Sequence, residues 1–168
     1  MTGEQLQGLI FSWLAERYPS GPDWQNPHFD AYANLPIEIK MIPAFDEIEY
    51  NIANGGWAQL LWNCHGCWRQ LLDIAREGYK LIGASAQAAA IDELYTLCER
   101  DDAECRAAIL ADESSLENFA EFTGRNDVAN DPVWERLFWA ESGISKKRFE
   151  WLEKNEARVR KAVGRLDA

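Results

Sequence analysis

Apolar positions recur along this chain at three- and four-residue intervals, the period of a helix with one buried face. Leu6, Leu9, Ile10, Trp13 and Leu14 predict a helix over residues 4–17, closed by Tyr18-Pro-Ser-Gly-Pro22. A loop follows through Pro27, and its aromatic residues Trp24, His28, Phe29 and Tyr32 predict that it is pinned over the core. Residues 36–53 read as two helical pieces, because Pro43 removes a backbone donor from a helix interior. Trp68, Leu71, Leu72 and Ala75 predict a helix over 67–79, with Gly78 near its end and a turn at Leu81-Ile82-Gly83. Ser85 is the expected cap of a helix to about Glu99, lined by Ile91, Leu94, Tyr95 and Cys98. Asp101 or Asp102 then caps a short helix to Ala111, and Ser114 with Glu117 fits a capping box for another to Phe122. Asp131-Pro132 starts a helix with Val133, Trp134, Leu137, Phe138 and Ala140 inward, ended by Gly143. Ser145 opens the last, with Phe149, Leu152, Ala157, Val159 and Val163 as apolar positions. No stretch alternates like a strand. The pattern predicts an all-α fold: one domain over 1–168, a single compact bundle of about eight or nine short helices.

One stretch breaks this rhythm. Asn54-Gly55-Gly56-Trp57 interrupts otherwise continuous helix. A glycine pair permits a reversal or close backbone approach, and Asn54 also tolerates the left-handed region. Beyond it, Trp57, Leu60, Leu61 and Trp62 form an apolar face, Gln59 and Asn63 lie four apart on one side, and Gly66 ends the element. The pattern predicts a helix, a glycine corner and a buried helix whose amides satisfy backbone groups freed at the break. Asn54, Gly55, Gly56, Trp57, Gln59, Asn63 and Gly66, followed by Ile82-Gly83-Ala84, resemble a bacterial family once listed as a domain of unknown function and now associated with DNA mimicry. The resemblance covers about residues 36–100. Trp57 stands where that family usually has Phe, and Leu60 where it has an aromatic residue; both keep bulk. The resemblance implies an all-helical, dimeric protein whose carboxylates stand in for DNA phosphates.

Charge gives this reading a physical setting. The 168 residues carry a net charge of −11. Residues 92–135 hold thirteen acids against three bases, while 136–168 hold five acids against nine bases. Such a field opposes direct nucleic-acid binding and attracts a basic partner; it also serves solubility. The eight tryptophans sit among acids and leucines rather than bases, which favours core packing over base stacking. Lys146, Lys147, Arg148 and Arg160 decorate the last helix among Glu150, Glu153 and Glu156, a solvated ion-paired face or a seam against an acidic neighbour. No run of eighteen apolar residues and no basic-then-apolar leader is present, so a cytoplasmic location and reduced cysteines are expected.

Catalytic signatures are thin. Cys64-His65-Gly66-Cys67 has a C-x-x-C spacing, but no second pair supplies four zinc ligands, with only His65, Cys98, Cys105 and distant His28 to hand. No βαβ setting supports a redox motif. Core filling is the expected role, with no metal and no cofactor. Glu47 and Glu49 lie on different helix faces, Ser114, Ser115 and Ser142 lack a nucleophile elbow, and no glycine loop cradles phosphate. Nothing argues for an enzyme. The expected function is an acidic protein-binding module that competes with DNA for a DNA-binding protein such as a transcription regulator. Its expected binding residues are Asp92, Glu93, Glu99, Asp101, Asp102, Glu104, Asp112, Glu113, Glu117 and Glu121, chosen for local charge density. Two other readings compete: an immunity- or antitoxin-like plug for a basic toxin, and an enzyme or small-ligand binder using a cleft at Asn54, Gln59 and Asn63.

Overall fold

A computed structural model describes residues 1–19, 32, 34–124 and 143–166. Among the described residues the chain is helical and contains no strand. The described residues form seven helices: α1 Gly3–Arg17, α2 Ile37–Asn63, α3 Trp68–Leu81, α4 Ser85–Ala111, α5 Leu116–Thr123, α6 Ile144–Lys154 and α7 Glu156–Leu166. None is long and apolar enough to cross a membrane. The helix expected after Asp131-Pro132 and the loop aromatics Trp24, His28 and Phe29 lie outside the described residues.

Seven among the described residues is fewer than the eight or nine expected. Two expected breaks, at Pro43 and at Asp101-Asp102, are absent, an added break at Asn155 partly offsets them, and the helix expected after Asp131-Pro132 is not among those described. α2 runs through Pro43 without a break. Pro43 is buried beside Ile39, Met41, Ile42 and Phe45, so core burial offsets the one lost hydrogen bond. α4 runs through Asp101 and Asp102, which were expected to cap. Asp102 instead finds its partners on α3, which removes the reason to stop. The last helix is split at Asn155, whose N–H bonds back to the Trp151 carbonyl at 3.0 Å. Caps also shift by one residue. Ser115, not Ser114, caps α5 by accepting the Asn118 N–H at 3.1 Å. Ala84 rather than Ser85 precedes α4, with no side-chain cap.

α3 packs against both α2 and α4, and α5 lies on α2 and α4. α1 crosses α6, α7 and the start of α2. The α2–α3 seam is tight at Gly78, where a Cβ would come within 2.7 Å of Phe45 Cζ. Phe45 stacks there on Tyr79 with ring centroids 4.2 Å apart. At the other end a Thr2–Gln5 capping box opens α1. The Gly3 N–H donates to Glu153 Oε1 at 2.8 Å, which ties that end to α6.

Candidate functional site

The corner inside α2 is built on Gly56, whose φ of 68° and ψ of −161° lie in backbone space that only glycine occupies readily. Before it, residues 37–55 form one arm; after it, 57–63 form a short second arm. Gly55 is needed for a different reason. A Cβ there would lie 2.8 Å from Gln59 Cβ, so the side chain that follows the corner could not fold back over it.

Asn51 holds the two arms together. It is fully buried and uses both ends of its amide. Its Nδ2 donates to the Glu47 carbonyl at 2.9 Å and to Glu47 Oε1 at 2.7 Å. Its Oδ1 accepts from Asn63 Nδ2 at 2.7 Å and from Gln59 Nε2 at 3.4 Å. Asn54 Nδ2 caps the Tyr50 carbonyl at 2.8 Å on the outer side. Gln59 and Asn63 thus face Asn51 across the corner, and Gly66 lies in the turn before α3. Burial pushes the Glu47 carboxyl above its usual range, against the pull of the bonds from Asn51 and Cys64. Glu49, two residues on, faces another way and accepts from Tyr79 Oη at 3.1 Å and from Arg148. Arg148, expected to decorate α6, is therefore buried and ion-paired; it shares a helix side with Leu152, four residues later.

The second arm of α2 carries α5. Trp62 meets Phe119 edge-on at 5.6 Å and Phe122 at 5.8 Å, and Trp57 meets Phe122 edge-on at 6.4 Å. An eight-residue helix is too short to hold itself. Its position is set by these rings, and theirs by the turn at Gly56. The glycine corner is thereby linked to the acidic surface that α5 presents.

The ten expected carboxylates divide into groups. Asp92 pairs with Arg76 at 3.0 Å, Glu99 with Arg69 at 3.0 Å and Asp101 with Arg100 at 2.7 Å. Asp102 accepts from Trp68 Nε1 at 2.9 Å and from Arg106 Nε at 3.0 Å, and lies 3.5 Å from Arg69. Burial raises its pKa, but the bonds from Arg106 and Trp68 and the charges of Arg106 and Arg69 prevail and hold it below the usual range. These four carboxylates are locally neutralised along the α3–α4 seam and at Trp57, over whose ring Arg100 lies at 5.3 Å. Asp102–Arg106 has a helical signal at i,i+4, whereas Arg69 and Arg76 sit on a different helix and have none.

The remainder is arranged differently. Glu93 is partly buried, and Glu104 is exposed on α4. Asp112, Glu113, Glu117 and Glu121 are exposed around the α4–α5 corner. Asp112 accepts from the Ser114 N–H at 3.1 Å and from its hydroxyl at 2.8 Å. Glu113, Glu117 and Glu121 make no ion pair among the described residues. Glu117 and Glu121 are like charges four apart on one helix, a spacing that costs α5 roughly 0.2–0.5 kcal/mol.

All four cysteines are free and buried. Cys64 and Cys67 are joined through backbone, Cys67 N–H to Cys64 carbonyl at 2.9 Å. Burial, then the nearby Glu47 charge, drives the Cys64 thiol far up, the opposite of an activated thiolate. Among the described residues no cluster of three or more His, Cys, Asp or Glu is placed to hold a metal.

Comparison with known proteins adds one finding. The sequence model of the family described as DMP19-like protein matches residues 33–155. That span includes the glycine corner, all ten carboxylates and α6. No curated protein and no solved structure matches the chain.

Proposed function

The chain belongs to the DMP19-like protein family, and from that premise we propose that it is an acidic protein-binding module that occupies a DNA-reading face and competes with DNA for it. Its partner is a DNA-binding protein such as a transcription regulator, met as a homodimer in the cytoplasm. The supporting observation is the α4–α5 corner. Glu113, Glu117 and Glu121 project there without an ion pair among the described residues, while Asp92, Glu99, Asp101 and Asp102 are paired with arginines. Unpaired exposed carboxylates keep their field for a partner, and the like-charge spacing on α5 has a local cost with no local return.

The binding surface is accordingly narrower than charge density predicts. It centres on Asp112, Glu113, Glu117 and Glu121, with Glu104 beside them, and the paired seam contributes a weaker background. Glu117 and Glu121 lie about 6 Å apart along the helix axis, from four steps of 1.5 Å. A row of charge at this scale is what cationic side chains that grip successive phosphates are built to meet.

Capture from a lysate at low and high salt tests the proposal. Retained proteins should be DNA-binding, should elute between about 0.1 and 0.5 M salt, and should be displaced by duplex DNA. The triple substitution Glu113→Gln, Glu117→Gln and Glu121→Gln should reduce capture. Retention that survives both duplex DNA and the triple substitution refutes it. A captured nuclease or toxin that DNA does not displace would support the plug reading instead.

A further inference from the structure

Beside the corner carboxylates the surface carries an apolar feature that charge does not explain. Ala103, Ala107, Leu110 and Ala111 are all exposed on α4 at helical spacing, and Leu110 is 86% exposed. A groove of about 250 Å³ opens along this face between α4 and α5. Ala107, Ala108, Ala111 and Phe122 form its apolar floor, and Glu104 on α4 and Glu121 on α5 stand on its opposing walls. The volume is below what a cofactor or drug-sized ligand needs. It suits a few side chains entering from a laid-in element.

We propose that this groove seats an amphipathic helix of the partner, its apolar face on Ala107, Ala108, Ala111 and Phe122 and its lysines or arginines on Glu104 and Glu121. The proposal rests on the acidic-binding reading above and names the partner's chemistry. Carboxylates on both walls of an apolar floor complement a helix with an apolar stripe flanked by cations, the helix-in-groove mode. The floor is made of small residues, which lets a helix backbone approach closely. A second copy of this chain fits less well, because its own exposed α4 face would set Glu104 and Glu121 against like charges.

The test uses fluorescence anisotropy of the full chain with three labelled probes of equal length. One is a lysine–leucine peptide with leucines at i, i+3, i+4 and i+7; the second has the same composition in alternating order; the third is oligolysine. The patterned peptide should bind at least tenfold more tightly than the other two. Ala107→Gln and Ala111→Gln should each weaken it about tenfold and leave oligolysine unchanged. Leu110→Ser and Leu116→Ser are the matched controls: the two leucines are 86% and 83% exposed and neither lines the groove. If oligolysine binds and the patterned peptide gains nothing over it, the groove proposal fails while the acidic reading stands. If no probe binds, both fail. If Ala107→Gln dissociates a dimer at micromolar concentration, a second copy occupies the groove and the proposal is overturned.

Discussion

Replacing Gly56 with alanine probes the corner on which the acidic surface depends. The native φ of 68° and ψ of −161° would place an alanine where non-glycine backbone costs about 1–3 kcal/mol. Alanine also restricts the unfolded chain and returns about 0.4–1 kcal/mol. If the backbone relaxes instead, Asn51 loses its bonds from Asn63 and Gln59, worth about 1 kcal/mol each. Either route gives a net loss of about 1.3 kcal/mol once that return is subtracted, or about 3–5 °C in Tm for a chain of this length. Gly8→Ala is the internal standard. Gly8 is exposed within α1, a Cβ there meets nothing within 4 Å, and the change should stabilise by about 0.5–1 kcal/mol. Urea denaturation of the two variants should therefore separate them by roughly 2 kcal/mol, the sum of these estimates. Hydrogen exchange supplies the second readout: amides of α5 should lose protection in Gly56→Ala before those of α3. A Gly56→Ala protein within 0.5 kcal/mol of wild type, or with α5 exchange unchanged, would refute the link from corner to acidic helix.

Other outcomes follow from the same geometry. Asn51→Ala should cost about 3 kcal/mol in denaturant unfolding, because the half-buried amides of Asn63 and Gln59 and the half-buried Glu47 carboxyl all lose a partner. Glu121→Lys should stabilise the protein by about 0.5–1 kcal/mol, since it turns a repulsive i,i+4 pair with Glu117 into an attractive one. The same variant should capture less basic partner, a trade of binding for stability that thermal melts and pull-downs read together. Asp102 predicts a pH signature. Its folded pKa is lowered, so its contribution is present above the unfolded value near 4 and is lost as pH falls through the folded one. The stability gap between wild type and Asp102→Asn should be open at pH 7 and close below about pH 4.

How much of this was readable in the chain depends on distance along it. The glycine pair, and Gln59 and Asn63 four residues apart, are local and stand out by spacing. Asn51, their common acceptor, lies eight and twelve residues upstream and on the far arm of the corner, so no periodic pattern marks it. The same limit applies to charge. A tally by segment finds the acids but not Arg69 and Arg76, which reach Glu99 and Asp92 from a neighbouring helix. Pro43 misled for the opposite reason: a local rule predicts a break, and tertiary burial overrides it. Arg148 reads as surface by its charge, whereas its register beside Leu152 places it inward. The carboxylates paired with arginines, Asp92, Glu99, Asp101 and Asp102, and the corner carboxylates Glu113, Glu117 and Glu121 differ only in three dimensions.

The mounting of α5 separates two kinds of change open to a lineage. Phe119 and Phe122 are clamped against Trp57 and Trp62, so substitutions there disturb how the short helix is held. Glu117, Ala120 and Glu121 touch solvent and can be rewritten without disturbing that clamp. A fixed socket with an exchangeable face lets selection swap one target for another through a few surface codons while the scaffold stays intact.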